Sequence, residues 1–271
     1  MIVDYHMHLR DSAEEMAHGV EAIERFVEIA AERGVDEIGF TEHVYYFRQT
    51  FEVWDLPYQT ERCVYDLDEY CGAVVEAKRQ GLPVKLGLEV DYVPDRQERL
   101  SELLSPYPWD YLLGSVHWLG GLAVDLRPGV WEEASVETVW QRYVEALCGL
   151  AASGAVEALA HPDLAKIFGL RPDSETLAGL HERVADAVAA AGVAVEVSTA
   201  GLRKPVAELY PDAGLLTACA ARGVGITLAS DAHVPELVGH EFERAVAHAR
   251  AAGFDTVTVF DSRVATQEPM T

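Results

Sequence analysis

The feature that most constrains the fold of this chain is a regular alternation of short apolar runs with longer helical patterns. The short runs are rich in β-branched residues and have the length of strands, whereas the segments between them carry apolar residues at helical spacing. Such alternation is typical of repeated βα units with a parallel sheet. No Gly/Ser-rich or Pro-rich linker interrupts it, so residues 1–271 are predicted to form a single domain.

The pattern predicts seven βα units and one further strand. The predicted strands are Ile2–Leu9, Glu37–His43, Val84–Asp91, Tyr111–Trp118, Val156–His161, Ala194–Thr199, Gly225–Asp231 and Thr256–Phe260. The predicted helices are Val20–Arg33, Asp66–Gln80, Glu98–Leu104, Ser135–Ala152, Ser174–Ala191, Ala213–Arg222 and Glu236–Ala252. Seven units plus a closing strand indicate an α/β barrel, and barrels of about 250 residues are routinely single domains.

The longest irregular segment, Val44–Gln59, contains six aromatic residues. A loop of this length in a compact domain is usually functional or disordered, and its aromatic content argues against disorder. Two interpretations stay open, a lid over a functional site and simple packing on the barrel rim.

Composition restricts the partners and the compartment. The formal net charge of −24 argues against a nucleic-acid backbone or an anionic membrane as the main partner, so any phosphate must be held by a local cluster of metal or arginine. The four cysteines form no C-x-x-C pair, and the longest apolar run is far too short to cross a bilayer. We therefore expect a cytoplasmic protein with no membrane anchor, and leave open whether it is a homo-oligomer.

The first predicted strand carries a candidate chelating pair. Side chains two apart on a strand point to the same face, so His6 and His8 present two imidazoles together, while Tyr5 and Met7 face the other way. Alternating polar and apolar residues also describe any half-buried strand. The pair alone therefore does not establish a metal site.

Histidines and carboxylates recur where the predicted strands end. They are His6, His8, Glu42, His43, Glu89, His117, His161, Asp231 and His233. In a βα barrel these ends converge on the face that carries catalytic residues. The set exceeds the three protein ligands that one catalytic zinc commonly takes, so two or three divalent ions are expected. Imidazoles and carboxylates without thiolate suit Zn, Mn or Fe.

Another histidine, His18, lies in the loop after the first strand and before Gly19. From that loop it could reach over the same barrel face. The residues alone leave its role open. His181, His240 and His248 fall inside predicted helices, where surface or packing roles are favoured.

The ordered set of short motifs resembles the PHP (polymerase and histidinol phosphatase) superfamily, and within it the stand-alone histidinol-phosphate phosphatases. The matching motifs are His6-x-His8, Thr41-Glu42-His43, Gly87-Leu88-Glu89, Gly114-Ser115-Val116-His117, His161-Pro162-Asp163 and Ser230-Asp231-Ala232-His233. They occur in the family's order and extend over nearly the whole chain. Each motif is short, but the ordered set is specific.

The resemblance implies a distorted (β/α)7 TIM-like barrel with a trinuclear metal site. It assigns the first metal to His6, His8, Glu89 and Asp231. It assigns the second metal to Glu89, His117 and His161, and the third to His18, His43 and His233. Glu42 then has the role of a neighbour that orients the ligands.

For a phosphorylated substrate, an arginine beside the metals offers planar two-point recognition of phosphate. Arg203 and Lys204 follow the sixth strand in a Gly-Leu-Arg-Lys segment that resembles the phosphatase branch. Lys166 is a further candidate, although a surface position is equally plausible. Asp125, together with the aromatic loop, could accommodate an amino-alcohol group.

The activity implied by the resemblance is hydrolysis of a small phosphate monoester, most specifically L-histidinol phosphate. Water activated by the metals would attack phosphorus, and Asp231, His233 or a water molecule would protonate the leaving alkoxide; the sequence does not choose among them. Three alternatives remain: a PHP phosphoesterase acting on nucleotides or other small phosphates, a metal-dependent amidohydrolase, and a non-catalytic metal-binding module. The segments after His43 and His117 depart from the family pattern, which leaves substrate specificity open.

Overall fold

The computed structural model describes residues 1–9, 18–127 and 129–271. The strands in these ranges are β1 (Val3–Asp4), β2 (Glu37–Phe40), β3 (Val84–Leu86), β4 (Glu89–Asp91), β5 (Leu113–Ser115), β6 (Trp118–Leu119), β7 (Leu122–Ala123), β8 (Ala158–Leu159), β9 (Ala194–Ser198), β10 (Ile226–Ala229), β11 (Thr256–Asp261) and β12 (Val264–Pro269). The helices are α1 (Val20–Glu32), α2 (Pro57–Thr60), α3 (Leu67–Arg79), α4 (Gln97–Leu104), α5 (Val136–Ala152), α6 (Ser174–Ala191), α7 (Ala213–Ala220) and α8 (Phe242–Ala252).

Two parallel sheets form the wall of a barrel. One has the order β1-β2-β3, and the other has the order β10-β9-β8-β5-β4. They meet beside β1, where the amide of Tyr5 donates to the carbonyl of Leu228 at 3.0 Å and the amide of His8 donates to the carbonyl of Ala232 at 2.7 Å. The predicted α/β class with parallel strands is confirmed.

The second junction of the two sheets breaks a predicted strand. Val84–Asp91 divides into β3, which pairs with β2, and β4, which pairs with β5. Beside the break the amide of Gly87 donates to the carbonyl of Phe40 at 2.9 Å, and the amide of Glu89 donates to the carbonyl of Glu42 at 3.0 Å. β3 and β4 thus act as one interrupted strand, and the backbone closes a ring of seven strand positions with Glu89 at the seam.

The barrel interior is filled by a layer of aromatic side chains. The ring of Tyr111 lies 5.2 Å from the rings of both Tyr5 and Phe260, and its hydroxyl donates to the carbonyl of Tyr5 at 2.7 Å. This arrangement requires a glycine on β2, because a Cβ at Gly39 would lie 2.1 Å from the Tyr111 hydroxyl oxygen. Side chains fill the barrel interior as in a packed core.

The predicted closing strand does not join the parallel sheets. β11 forms where Thr256–Phe260 was predicted, but it pairs antiparallel with β12, which the sequence analysis missed. The turn between them places Ser262 and Arg263 in the left-handed region, with φ of 50° and 65°. Every residue of β12 is exposed, so this strand lacks the apolar alternation by which strands are recognised.

Helix ends follow local capping chemistry. α6 has the predicted bounds because the Asp173 side chain accepts the amides of Glu175 and Thr176, and Gly192 ends the helix with φ 69°. The predicted helix Glu236–Ala252 is shortened to α8. Its first part is a 3-10 turn, and Gly239 then adopts a left-handed φ of 62°.

The aromatic segment is ordered along the barrel rim. It contains 3-10 turns at Val44–Tyr46 and Arg48–Val53 and then enters α2. Val44 and Phe47 are fully buried, whereas Phe51 is exposed. None of the described helices combines the length and the apolar character needed to cross a bilayer.

We predict that Gly39→Ala destabilises the protein by about 1–3 kcal/mol, the range expected for overpacking a filled core. Gly72 lies on the exposed side of α3 with nothing near an added Cβ, so Gly72→Ala is expected to raise stability by about 0.5–1 kcal/mol. Urea unfolding followed by circular dichroism measures both changes. Equal stability of Gly39→Ala and the parent protein would contradict the proposed contact with Tyr111.

Candidate metal centre

The structure brings eight of the nine predicted metal ligands together at the C-terminal end of the barrel. Four groups of three side chains have ligand atoms that all lie within 4.8 Å of one another. The groups are His8, His43 and His233; His6, Glu89 and His161; His6, His8 and Asp231; and His43, Asp91 and His117. Since the groups share members, they form one continuous cluster.

The extended backbone after β1 sets the direction of the first two imidazoles. The amide of Thr41 donates to the carbonyl of Met7 at 2.8 Å, and the amide of Ala232 donates to the carbonyl of His6 at 3.3 Å. The segment is therefore held on both sides, and the alternation of side chains continues beyond the strand. His6 and His8 face the same way, with ring centroids 5.2 Å apart.

Glu89 is fully buried at the centre of the cluster. Its Oε2 lies 2.6 Å from Nδ1 of His43 and 3.5 Å from Nε2 of His6, and its Oε1 lies 3.2 Å from Nε2 of His161 and 3.5 Å from Nε2 of His117. Burial alone would raise the pKa of Glu89, but the surrounding imidazoles hold this pKa well below its usual value. The carboxylate is thus kept ionised in the barrel mouth.

Asp231 contributes a second carboxylate from the loop after β10. Its backbone is left-handed, with φ of 52°, a conformation that Asp tolerates better than most residues. Its Oδ1 lies 3.4 Å from Nε2 of His8 and 3.5 Å from Nδ1 of His233. Burial would raise the pKa of Asp231, but His6 and His8 hold it well below its usual value.

Several buried polar atoms of the cluster lack a hydrogen-bond partner among the described residues. They include Nε2 of His6, Nε2 of His8 and Nδ1 of His161. Buried polar groups are normally paired, and a cation satisfies imidazole nitrogens and carboxylate oxygens at the same time. The donor set contains no thiolate and suits Zn, Mn or Fe. These residues therefore fit a metal site.

Two carboxylates that the sequence analysis missed lie behind the imidazoles. Glu196 Oε2 is 2.8 Å from Nδ1 of His6, and Asp91 Oδ1 is 2.9 Å from Nδ1 of His117. A carboxylate on one imidazole nitrogen directs the other nitrogen to a metal. Both residues could have been identified from the sequence. Glu196 is a charged residue inside the apolar strand β9, and Asp91 lies two residues after Glu89, on the same face.

The electrostatics of these pairs follow from the same contacts. Burial would lower the pKa of His117, but Asp91 and Glu89 outweigh it and raise the pKa to about 10. By contrast, burial and then the neighbouring His8 lower the pKa of His233 to about 4. The same carboxylates would attract a divalent cation, and binding it would release the proton from the ligating imidazole.

Glu42, predicted to orient the ligands, contacts the first histidine pair. Its Oε2 lies 3.4 Å from Nδ1 of His8, and its Oε1 accepts the amide of Leu9 at 2.5 Å. His18, by contrast, is in none of the four groups. Its ring lies 5.3 Å from that of Tyr70 and 6.1 Å from that of Phe47. Its role as a ligand stays a prediction.

A cavity of about 350 Å³ opens above the cluster. Its aromatic wall consists of Tyr45, Tyr46, Tyr58, Trp118 and Tyr210. Lys204 and Asp125, both predicted to bind substrate, also line it. The aromatic segment thus packs on the rim and forms part of the cavity wall.

Arg203 is not on the lining of this cavity. Its Nη2 donates to the carbonyl oxygens of Ser230 at 2.6 Å and Asp231 at 3.1 Å. Burial lowers the pKa of Arg203 despite the nearby Asp231 carboxylate. The guanidinium supports the left-handed turn that carries Asp231, and direct contact with phosphate stays a prediction.

The surface position considered for Lys166 is wrong, and its contact with phosphate stays a prediction. The side chain is fully buried and does not line the cavity. Its ammonium lies 2.8 Å from the carboxylate of Asp163 and donates to the carbonyl of Leu209 at 2.7 Å. Lys166 therefore joins the loop after β8 to the loop after β9.

A family model described as PHP domain matches residues 4–200 of the chain. The chain is 35% identical over 246 residues to a probable histidinol-phosphatase of Deinococcus radiodurans, covering 89% of this chain and 91% of that protein. It is 27% identical over 246 residues to the histidinol-phosphatase of Bacillus subtilis, covering 82% of this chain and 91% of that protein.

The fold is similar to a crystal structure of histidinol phosphate phosphatase from Lactococcus lactis in complex with zinc, L-histidinol and phosphate. The TM-score is 0.76 at 20% sequence identity, and the match covers 98% of each chain. This similarity concerns the fold alone.

We predict that Glu196→Gln lowers metal affinity about 10- to 100-fold, the usual cost of removing a carboxylate behind a ligating histidine. Glu196 Oε1 also accepts the amide of His161 at 3.2 Å, and one amide side chain cannot replace both acceptor oxygens. Competition with a chelator measures the affinity for Zn²⁺ and Mn²⁺. Glu98→Gln, at an exposed carboxylate of α4, is the control, and an unaltered affinity in Glu196→Gln would refute the role of Glu196.

Proposed function

The chain belongs to the PHP domain family, and we propose that it is a metal-dependent phosphomonoesterase that hydrolyses L-histidinol phosphate in the cytoplasm. The observation that carries this proposal is the convergence of buried imidazoles and carboxylates on one cavity at the C-terminal end of the barrel. The substrate is supported by the relatives, of which the Deinococcus radiodurans protein is a probable histidinol-phosphatase.

We assign two or three divalent ions to the cluster, with Glu89 as a shared ligand. Its two carboxylate oxygens face different imidazoles, since Oε2 lies near His6 and His43 while Oε1 lies near His117 and His161. Bound ions supply positive charge for the phosphoryl oxygens and a nucleophilic water at neutral pH. His18 stays in the assignment of a third ion as a prediction.

The remaining residues bind and orient the substrate. Lys204 is the cationic side chain on the cavity lining and is assigned to the phosphate group. Asp125 lines the same cavity as Tyr58 and Trp118, a combination of carboxylate and aromatic rings suited to a cationic amino-alcohol group. The cavity volume of about 350 Å³ lies in the range of small-molecule sites.

We assign Asp231 and His233 to the delivery of a proton to the leaving alkoxide. Since the pKa of each group lies below its usual value, the pair takes this proton from water and passes it on. Both line the cavity, and Nδ1 of His233 lies 3.5 Å from Oδ1 of Asp231. The side chain of His233 is the more accessible of the two, at 38% exposure against 14%. A product alcohol can therefore approach His233 from the open side of the cluster.

The experiment that tests the function is phosphate release from L-histidinol phosphate beside nucleotides and sugar phosphates, with the bound metals counted before the assay. We expect kcat/KM for L-histidinol phosphate to exceed that for the panel by orders of magnitude. Glu89→Gln, which lacks the shared carboxylate, is the inactive control. Equal rates on all substrates would reject the assigned substrate, and an absence of phosphate release would reject the phosphomonoesterase.

Lys204→Met is expected to raise KM for the phosphorylated substrate about tenfold, because a hydrogen bond to a charged group is lost while the metal ligands remain. Steady-state kinetics at two salt concentrations measures the change. The control is Lys85→Met, at a lysine that pairs with Asp261 away from the cavity. A KM unchanged in Lys204→Met would remove Lys204 from the phosphate site.

A further inference from the structure

We propose that the hydroxyl group of Tyr210 donates a hydrogen bond to the phosphate group of the bound substrate. Tyr210 lies outside the motifs at the strand ends and was not predicted from the sequence. The inference rests on the proposed phosphomonoesterase function and adds a neutral hydrogen-bond donor to the phosphate site.

The backbone of Tyr210 is held at the C-terminal end of β9. Its amide donates to the carbonyl of Ser198 at 3.0 Å, and its carbonyl accepts the amide of Ser198 at 2.6 Å. The ring needs the space left by Gly201, because a Cβ there would lie 2.9 Å from the ring and 2.1 Å from the carbonyl oxygen of Glu208. The loop is therefore built around this side chain.

Buried ionic contacts hold the loop that carries Tyr210. The ammonium of Lys166 lies 5.4 Å from the ring centroid of Tyr210 and donates to the carbonyl of the preceding residue, Leu209. Asp163 binds this ammonium and also accepts the amide of Asp212 at 2.8 Å. The contacts lie on both sides of Tyr210 in the chain, so they explain why a lysine is buried here.

The hydroxyl oxygen of Tyr210 is buried and has no hydrogen-bond partner in the described ranges, although the residue lines the cavity. A buried tyrosine hydroxyl usually finds a partner, and the adjoining cavity is where a ligand can supply one. The ring lies 6.3 Å from that of His161, a member of the metal cluster. We therefore assign a phosphate group held at the cluster as the partner of this hydroxyl.

The chemistry favours a hydrogen-bond donor and not a proton source. Burial, followed by the charges of Asp163, Asp231 and Asp125, raises the pKa of Tyr210 above its usual value. The hydroxyl therefore stays protonated in the cavity. Phosphoryl oxygens are acceptors that gain charge during hydrolysis, and a fixed neutral donor beside them stabilises that charge.

The test compares Tyr210→Phe with Tyr111→Phe, which also removes one buried tyrosine hydroxyl. The Tyr111 hydroxyl has a partner, the carbonyl of Tyr5, and lies in the aromatic layer of the barrel. Four quantities are measured on metal-loaded protein: kcat/KM for L-histidinol phosphate and for p-nitrophenyl phosphate, Kd for inorganic phosphate, metal content and Tm.

We expect Tyr210→Phe to lower kcat/KM for both esters about 10- to 100-fold and to weaken phosphate binding, as for one hydrogen bond to a charged group. Its metal content should be unchanged and its Tm equal or higher, because an unpaired buried hydroxyl is removed. Tyr111→Phe should show the reverse, a lower Tm with unchanged kinetics and phosphate affinity.

Kinetics and phosphate affinity of Tyr210→Phe within twofold of the parent would overturn the proposal, as would a parallel loss of bound metal. The substrate assignment fails separately, if L-histidinol phosphate is no better than p-nitrophenyl phosphate while Tyr210→Phe is still impaired on both. If no ester is hydrolysed, the affinity for inorganic phosphate alone decides the role of Tyr210.

Discussion

The buried carboxylate of Glu89 is the interaction on which the rest of the site depends. An ionised carboxylate without access to water is costly unless charges or hydrogen bonds compensate it, and five imidazoles surround this one. The break between β3 and β4 creates the position, because it seats Glu89 where the two parallel sheets meet. Closing the barrel at this junction therefore also places Glu89 at the centre of the cluster.

The aromatic layer inside the barrel supports the junction of the two sheets. The aromatic layer around Tyr111 fills the interior beneath the cluster, and Gly39 leaves the space that its hydroxyl requires. Phe260 of β11 joins the layer, although its strand belongs to a separate antiparallel hairpin. A close-packed interior has low compressibility, so the side chains of different strands are held in fixed relative positions.

Charged residues around the site fall into two physical roles. Lys204 and Asp125 face the cavity, where their charges are available to a substrate. Arg203 and Lys166 are held by backbone carbonyls, so they stabilise the loops that carry Asp231 and Tyr210. A buried cation that donates hydrogen bonds to backbone carbonyl oxygens holds the loop in one conformation. The side chains that this loop carries into the site are thereby positioned.

The amino-acid sequence was enough to predict the α/β class, the order of the βα units and most of the side chains that converge in the cluster, because each depends on local periodicity and on side chains at the end of an apolar run. It also singled out Lys204 and Asp125, which line the cavity, and Glu42, which contacts His8. The contact of Glu196 with His6, 190 residues apart, is visible only in the folded chain, because pairing across strands leaves no local sequence pattern.

Three further features could not be predicted from the sequence: the break in the third strand, the hairpin of β11 and β12, and the orientation of Lys166 and Tyr210. β12 is exposed on every residue, so burial imposed no pattern on it. A lysine or a tyrosine in a loop has the same local signature on the surface and in the core, and only the contacts of the folded chain separate the two.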